Sequence, residues 1–199
     1  IQLYWRRDSR VLYPPIGDEW LQPRTPSTGA MQNPDYFLVV STLARYKRID
    51  IAVEACNRTG SHLKIVGEGP DMARLKALAG PTVEFYGWRK NDELADLYAR
   101  AKAVLFAGHE DFGLVPLEAM SCGTPVVAYG QGGATETVID GTTGAFFAEP
   151  TAGSLADILK NFDRTKFDPA ACVAQAKRFD RATFERGLTA AVAAAMQRP

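Results

Sequence analysis

The sequence predicts an α/β domain with a parallel sheet covered by helices on both faces. Two observations carry this. Short apolar runs such as Tyr36-Phe37-Leu38-Val39-Val40 and Pro125-Val126-Val127-Ala128-Tyr129 read as strands buried on both sides. Between such runs lie amphipathic stretches at helical spacing, and strand–helix alternation over this length argues for parallel pairing.

Each element follows in order. Residues 1–35 carry Pro14, Pro15, Pro23, Pro26 and Pro34 with Gly17 and Gly29, the composition of a linker or surface segment. Within it, Arg10 to Tyr13 reads as a short strand, and Tyr4-Trp5-Arg6-Arg7 as an interface remnant or a solvated basic pair. The regular domain runs over 36–199. After the first strand, a helix is expected from Lys47 to Arg58, with Ile49, Ala52, Val53 and Cys56 on one face. Leu63–Val66 is a strand, Met72–Leu78 a helix, and Val83–Tyr86 a strand ending at Gly87. The next helix takes Asn91 as its cap, Asp92 and Glu93 at its positive end, and Leu94, Leu97 and Tyr98 as its apolar stripe. Ala103–Phe106 is a strand, and Pro116 suits the first position of the helix after it. The Pro125–Tyr129 strand leads into a glycine loop, a short helix through Thr137 and a last strand, Thr143–Phe147. Ser154 with Asp157 resembles a capping arrangement, and Asp168-Pro169 reads as a cap followed by a helix-starting proline. Phe184, Leu188, Ala191, Val192, Ala195 and Met196 form a terminal stripe that must bury against this domain or another.

Composition narrows the function. The chain has 199 residues, enough for one domain with a real core. Lys plus Arg equals Asp plus Glu at 23 each, so no broad basic field favours nucleic acid. Cys56, Cys122 and Cys172 are scattered and only His62 and His109 are present, which argues against a metal cluster or disulfide framework and for a reducing cytoplasmic setting. No stretch is long and apolar enough to cross a bilayer. The start at Ile1 reads as that of an excised or processed piece.

In an open parallel sheet, ligands bind beyond the carboxyl ends of the strands. There the sequence places Ser41, Thr42, Arg45, Lys47 and Arg48, then Gly67-Glu68-Gly69-Pro70, then Gly87 to Lys90, then Gly108 to Gly113, then Gly130, Gly132, Gly133 and Glu136. Glycines let backbone amides approach a ligand. Two glycine loops precede helices, and a helix start suits phosphate. The helix near Pro116 lacks a Ser, Thr, Asp or Asn immediately before it, so its open amides are free for a ligand oxygen. Lys47 brings a point charge for a diphosphate, whereas Glu110 and Glu118 would repel phosphate and accept hydroxyls. The pocket therefore suits a ligand bearing phosphates and polyols together, such as a nucleotide sugar. Singly, each residue also has an ordinary reading: Glu118 as a dipole-stabilised first-turn acid, Glu110 as a loop acid, Lys47 as a surface lysine, Gly132-Gly133 as a turn. Gly67-Glu68-Gly69 begins a dinucleotide fingerprint, but Met72 stands where its third glycine belongs, which disfavours a dehydrogenase.

Glu110-Asp111-Phe112-Gly113-Leu114-Val115-Pro116-Leu117-Glu118, with Tyr46-Lys47-Arg48-Ile49-Asp50, Val66-Gly67-Glu68-Gly69-Pro70, Gly123-Thr124-Pro125-Val126-Val127 and Gly132-Gly133-Ala134-Thr135-Glu136, resembles the glycosyltransferase group 1 family. These are retaining enzymes of the GT-B fold that use nucleotide-sugar donors. The resemblance covers Tyr13 to the C-terminus. It implies the Rossmann-like C-terminal donor domain of a two-domain enzyme, whose N-terminal acceptor domain lies outside this chain. It further implies that Glu118 binds the donor ribose, Glu110 the transferred sugar and Lys47 the diphosphate, with Glu110 and Lys47 as the catalytic pair. The Phe112, Gly113 and Leu114 backbone would contact sugar or phosphate, together with Gly132 and Gly133. Gly87 and Trp88 would line the base pocket with Leu94 packing near it, although Trp88 reads equally as a cover for the sheet edge. The Glu-Asp-Phe-Gly form looks mannosyltransferase-like, implying GDP-mannose, with a UDP-sugar as the alternative, and no metal or other cofactor. Membrane association would come only through the missing part, leaving a cytoplasmic protein, peripheral at most. The chain departs from the family at Thr42, where an arginine that helps hold the diphosphate is common; Arg45 is the nearby substitute. His109 stands where a smaller or acidic residue is often seen, and Asp111 replaces the commoner glycine. Two rival functions are a non-catalytic nucleotide-sugar binding module, suggested by Thr42, and a structural or partner-binding domain, suggested by the terminal stripe.

Overall fold

The computed structural model describes Tyr4, Arg6 and residues 9–22 and 35–196. Six strands, β1 (Tyr36–Val40), β2 (His62–Val66), β3 (Val83–Gly87), β4 (Val104–Phe106), β5 (Val126–Tyr129) and β6 (Gly144–Phe147), form one sheet in the order β3-β2-β1-β4-β5-β6. Every pairing is parallel. The helices are α1 (Ile49–Thr59), α2 (Met72–Leu78), α3 (Asn91–Arg100), α4 (Val115–Ser121), α5 (Ala134–Thr137), α6 (Ala152–Lys160), α7 (Pro169–Lys177) and α8 (Arg181–Met196). The expected Rossmann-like α/β fold is the one observed.

Alternation along the strands builds two cores, one on each face. Phe37, Val39, Leu63, Ile65, Leu105 and Val127 pack with α1 and α6. Tyr36, Leu38, Val66, Val104, Phe106 and Val126 pack with residues of α3, α4 and α7. The apolar runs lack polar gaps because both faces are covered.

Several boundaries differ from the sequence reading. The helix expected from Lys47 begins at Ile49, because Arg48 adopts a left-handed backbone (φ 52°, ψ 37°) between a 3-10 turn over Arg45–Lys47 and α1. Lys47 is therefore a loop residue. Asn91 is the first residue of α3 rather than its cap; the cap position is Lys90, whose amide donates to Glu93 at 3.2 Å. The cap of α6 is Thr151, whose hydroxyl accepts from the Ser154 amide, while Asp157 pairs with Lys160 at 2.9 Å. Asp168 caps α7 as expected, accepting from the Ala170 amide at 2.9 Å.

The N-terminal segment forms no strand over Arg10 to Tyr13. Nor is it all linker: Ile16 and Trp20 are buried in the second core, and the Ile16 amide donates to the Phe179 carbonyl at 2.9 Å. Of the Tyr4–Arg7 stretch, Trp5 and Arg7 lie outside the described residues. The α8 stripe is covered only in part. Phe184, Gly187 and Ala191 are half-buried beside the Arg10–Tyr13 segment, across a cavity of about 210 Å³, whereas Leu188, Val192 and Met196 stay exposed.

The loop after β2 crosses the end of β1 at backbone contact. Gly67 sits at φ +125°, and a β-carbon there would lie 1.9 Å from the Ser41 carbonyl oxygen. Gly67→Ala is expected to cost at least about 2 kcal/mol, through backbone strain and displacement of β1. Gly60→Ala, at φ +68° with nothing within 4 Å, should cost only about 1 kcal/mol. Denaturant midpoints at unchanged slope measure both.

Candidate functional site

From β1 the chain steps through β2 to β3 in one direction, then returns to β4 and steps through β5 to β6 in the other. The reversal opens a crevice at the carboxyl ends of β1 and β4, the place where such sheets take ligands. Lys47 follows β1 and Glu110 follows β4. They meet there: Lys47 Nζ lies 2.6 Å from Glu110 Oε2, and each side chain is 18% exposed. A charge-assisted contact this short and half-withdrawn from water is stronger than an exposed ion pair.

The loops carrying this pair touch backbone to backbone. A β-carbon on Gly108 would stand 3.1 Å from the Lys47 carbonyl oxygen. On the other side, the Gly133 amide donates to the Glu110 carbonyl at 2.8 Å, and a β-carbon on Gly133 would come within 2.2 Å of Phe112 Cα. Gly132 lies equally close to His109 and the Glu110 carbonyl. Of the amides near Gly133 that the sequence offers to phosphate, that of Gly133 itself is taken by the protein. These glycines pin the 108–113 loop.

Phe112 extends the same loop into an aromatic cluster. Its ring stacks on Tyr13 (5.5 Å between centroids, 22°) and tilts against Phe179 at 5.7 Å. The Tyr13 hydroxyl is bonded to the Glu136 carboxylate, which raises its pKa above the ordinary phenol value. Gly113 lies against the Phe106 ring.

Leu114 precedes α4 with no side-chain cap and is 41% exposed; Pro116 occupies the first turn. Glu118 is half-buried in that turn. Unlike Glu110, it is held by a phenol: the Tyr98 hydroxyl donates to Glu118 Oε2 at 2.9 Å. Burial pushes the Glu118 carboxyl above its usual range, the Tyr98 bond opposes that, and the charge of Glu19 adds to it. Burial, with the neighbouring Glu118 charge, holds the Tyr98 phenol well above its ordinary value.

The remaining candidates lie further out. Arg45 has a side chain 79% exposed and points to Asp71 at 3.8 Å, a carboxylate that Arg74 already binds at 2.6 Å and that these arginines hold below the usual range, the Arg74 hydrogen bond first. Thr42 is exposed. The Gly87 carbonyl accepts from the Gly67 amide at 2.9 Å. Trp88 is 65% exposed, so its indole is not packed down as a cover for the sheet edge, and its amide faces Glu68 Oε1 at 3.4 Å. Leu94 is a core residue of α3.

The sequence reading missed three partners. In the sequence Tyr98 stands in an apolar stripe, and its signal is that a buried tyrosine needs a partner for its hydroxyl. Tyr13 and Phe179, far apart in sequence, carried no signal for their contact with Phe112. Among the described residues, no group of three or more His, Cys, Asp and Glu is placed to hold a metal ion, and no helix is long and apolar enough to cross a membrane.

Comparison with known proteins identifies the family. The chain is 36% identical over 166 residues to glycogen synthase of Mycobacterium tuberculosis, covering 77% of this chain and 38% of that protein. It is 38% identical over 106 residues to a GDP-mannose-dependent alpha-mannosyltransferase of the same organism, covering 53% of this chain and 28% of that one. The structure superposes on Anabaena HepE in complex with UDP-glucose with a TM-score of 0.77 at 24% identity, over 93% of this chain and 57% of that chain. This chain therefore spans well under two thirds of each. Residues 24–179 match the family described as glycosyl transferases group 1, and the chain belongs to that family.

Proposed function

We propose that this chain is the donor-binding domain of a retaining glycosyltransferase that moves a sugar from a nucleoside diphosphate sugar to a hydroxyl acceptor. The observation that carries this reading is the Lys47–Glu110 pair across the β1–β4 crevice. It sets a cation and a hydroxyl acceptor at contact distance, as a ligand joining diphosphate to sugar requires. On donor binding Lys47 exchanges Glu110 for the diphosphate and stabilises the charge that grows there as the glycosidic bond breaks. Glu110, released, accepts from hydroxyls of the transferred sugar, and Glu118 accepts from the ribose. The Phe112, Gly113 and Leu114 backbone borders sugar and phosphate, with Gly132 and Gly133 fixing its height. Gly87 and Trp88 border the base.

The donor is a UDP-sugar or GDP-mannose: the HepE complex supports the first and the mycobacterial mannosyltransferase the second. Residues 36–199, with the packed Ile16–Trp20 stretch, form the donor unit. An acceptor domain outside this chain completes the cleft and supplies any membrane contact of an otherwise cytoplasmic enzyme. A second reading, a nucleotide-sugar binding module without transfer, is favoured by Thr42 and by the outward course of Arg45. Thr42→Arg discriminates: activity appearing only in that variant of the complete protein would support the module.

Calorimetric titration with UDP, GDP, ADP and their sugar conjugates is expected to show saturable binding by one base. Lys47→Ala and Glu118→Ala should each weaken it about 10- to 100-fold, the worth of a hydrogen bond to a charged group. No binding by any nucleotide to a folded sample overturns the reading.

Affinity should also fall on acidification. Glu118 must be ionised to accept, and burial raises its pKa, so the loss begins at higher pH than for an exposed glutamate. Glu118→Gln removes that pH dependence. The isolated chain is expected to bind donor but transfer little sugar, because half of the proposed cleft lies elsewhere; efficient transfer by it would contradict this.

A further inference from the structure

A carboxylate that receives ribose hydroxyls must stay ionised in a half-buried place and present one oxygen in a fixed direction. In this fold α4 alone does not fix Glu118. The constraint arrives from α3. Tyr98 is fully buried, its ring meets Trp20 edge-on at 5.6 Å and 71°, and its carbonyl accepts from the Thr124 hydroxyl at 2.6 Å. Neither the ring nor its backbone is free to move. From that position the hydroxyl reaches Glu118 Oε2 at 2.9 Å. Packing alone would be served by phenylalanine; the hydroxyl has a use only through its bond.

We propose that Tyr98 is a positioning residue of the donor site: its hydroxyl holds Glu118 Oε2, leaving Oε1 to meet the ribose hydroxyls. The proposal rests on the donor-site reading above. The bond also favours the ionised carboxylate. The groups facing Glu118 are Tyr98 from α3 and Glu19 from the 3-10 turn over Asp18–Trp20; Cys122, just past the end of α4, acts on the Tyr98 phenol. Glu19, itself bonded to Asn91 Nδ2 at 3.3 Å, pushes Glu118 toward protonation, and the Tyr98 hydroxyl pushes back. Removing the hydroxyl therefore moves the acid midpoint of binding to higher pH.

The test titrates the chain, its Tyr98→Phe and Glu118→Gln variants and the double variant with UDP and GDP and with their 2′,3′-dideoxy analogues. Tyr98→Phe is expected to weaken the bound ribonucleotide about tenfold. Its affinity for the dideoxy analogue should match that of the unmodified chain, and its acid midpoint should lie higher. Added to Glu118→Gln, it should have little further effect. Equal weakening of both nucleotides would make Tyr98 merely structural and overturn the proposal, as would an unchanged ribonucleotide affinity. If Glu118→Gln weakens binding while Tyr98→Phe does not, only the Tyr98 proposal fails. If Glu118→Gln has no effect, or no nucleotide binds, the donor-site reading fails and takes the proposal with it. Should Tyr98→Phe not fold, 3-fluorotyrosine placed at position 98, a stronger donor, should move the acid midpoint down, and no movement overturns the proposal.

Discussion

The site depends on backbone contact between two loops that are distant in sequence. The β1 loop brings Lys47 and the β4 loop brings Glu110, and they come together because Gly108 presents no side chain toward Lys47. A β-carbon at position 108 would stand 3.1 Å from the Lys47 carbonyl oxygen, so even alanine would make the two loops give by a few tenths of an ångström. The parallel sheet supplies the other condition. By reversing direction between β1 and β4 it leaves the ends of these neighbours uncovered, so the loops have somewhere to converge.

Around this contact the chain invests its polar groups economically. Glu110 is held by a cation and Glu118 by a phenol, so two acids of one short motif are prepared differently. One is a carboxylate ion-paired with a lysine. The other stands in a drier setting and is tuned by a neutral donor. A motif repeat of acidic residues is thus not a repeat of function, because the environment of each acid comes from a different part of the sheet.

The sheet was legible in the sequence because its strands are buried on both faces, which writes each as an unbroken apolar run. The loops of the proposed donor site were legible for a related reason: glycine and charge cluster where strands end. Boundaries were less so. Arg48 takes a left-handed backbone that arginine has no local preference for, so nothing in the residue types marks the break before Ile49. Ile16 and Trp20 sit among prolines and looked like linker residues; only the groove beside α3 and Phe179 explains their burial. The Tyr98–Glu118 bond spans α3, β4 and the following loop, and local pattern carries no record of such a distance.

Phe112 shares its ring face with Tyr13, and Tyr13 in turn is tied to Glu136. The segment that leads into the domain, the loop after β4 and the short helix after β5 therefore meet at one side chain, Tyr13. The entering chain touches the Glu110 loop directly through this ring stack, with no helix in between. The chain entering at Tyr13 and the loop that carries Glu110 thus share a packing surface, so a change in the course of one alters the ring environment of the other.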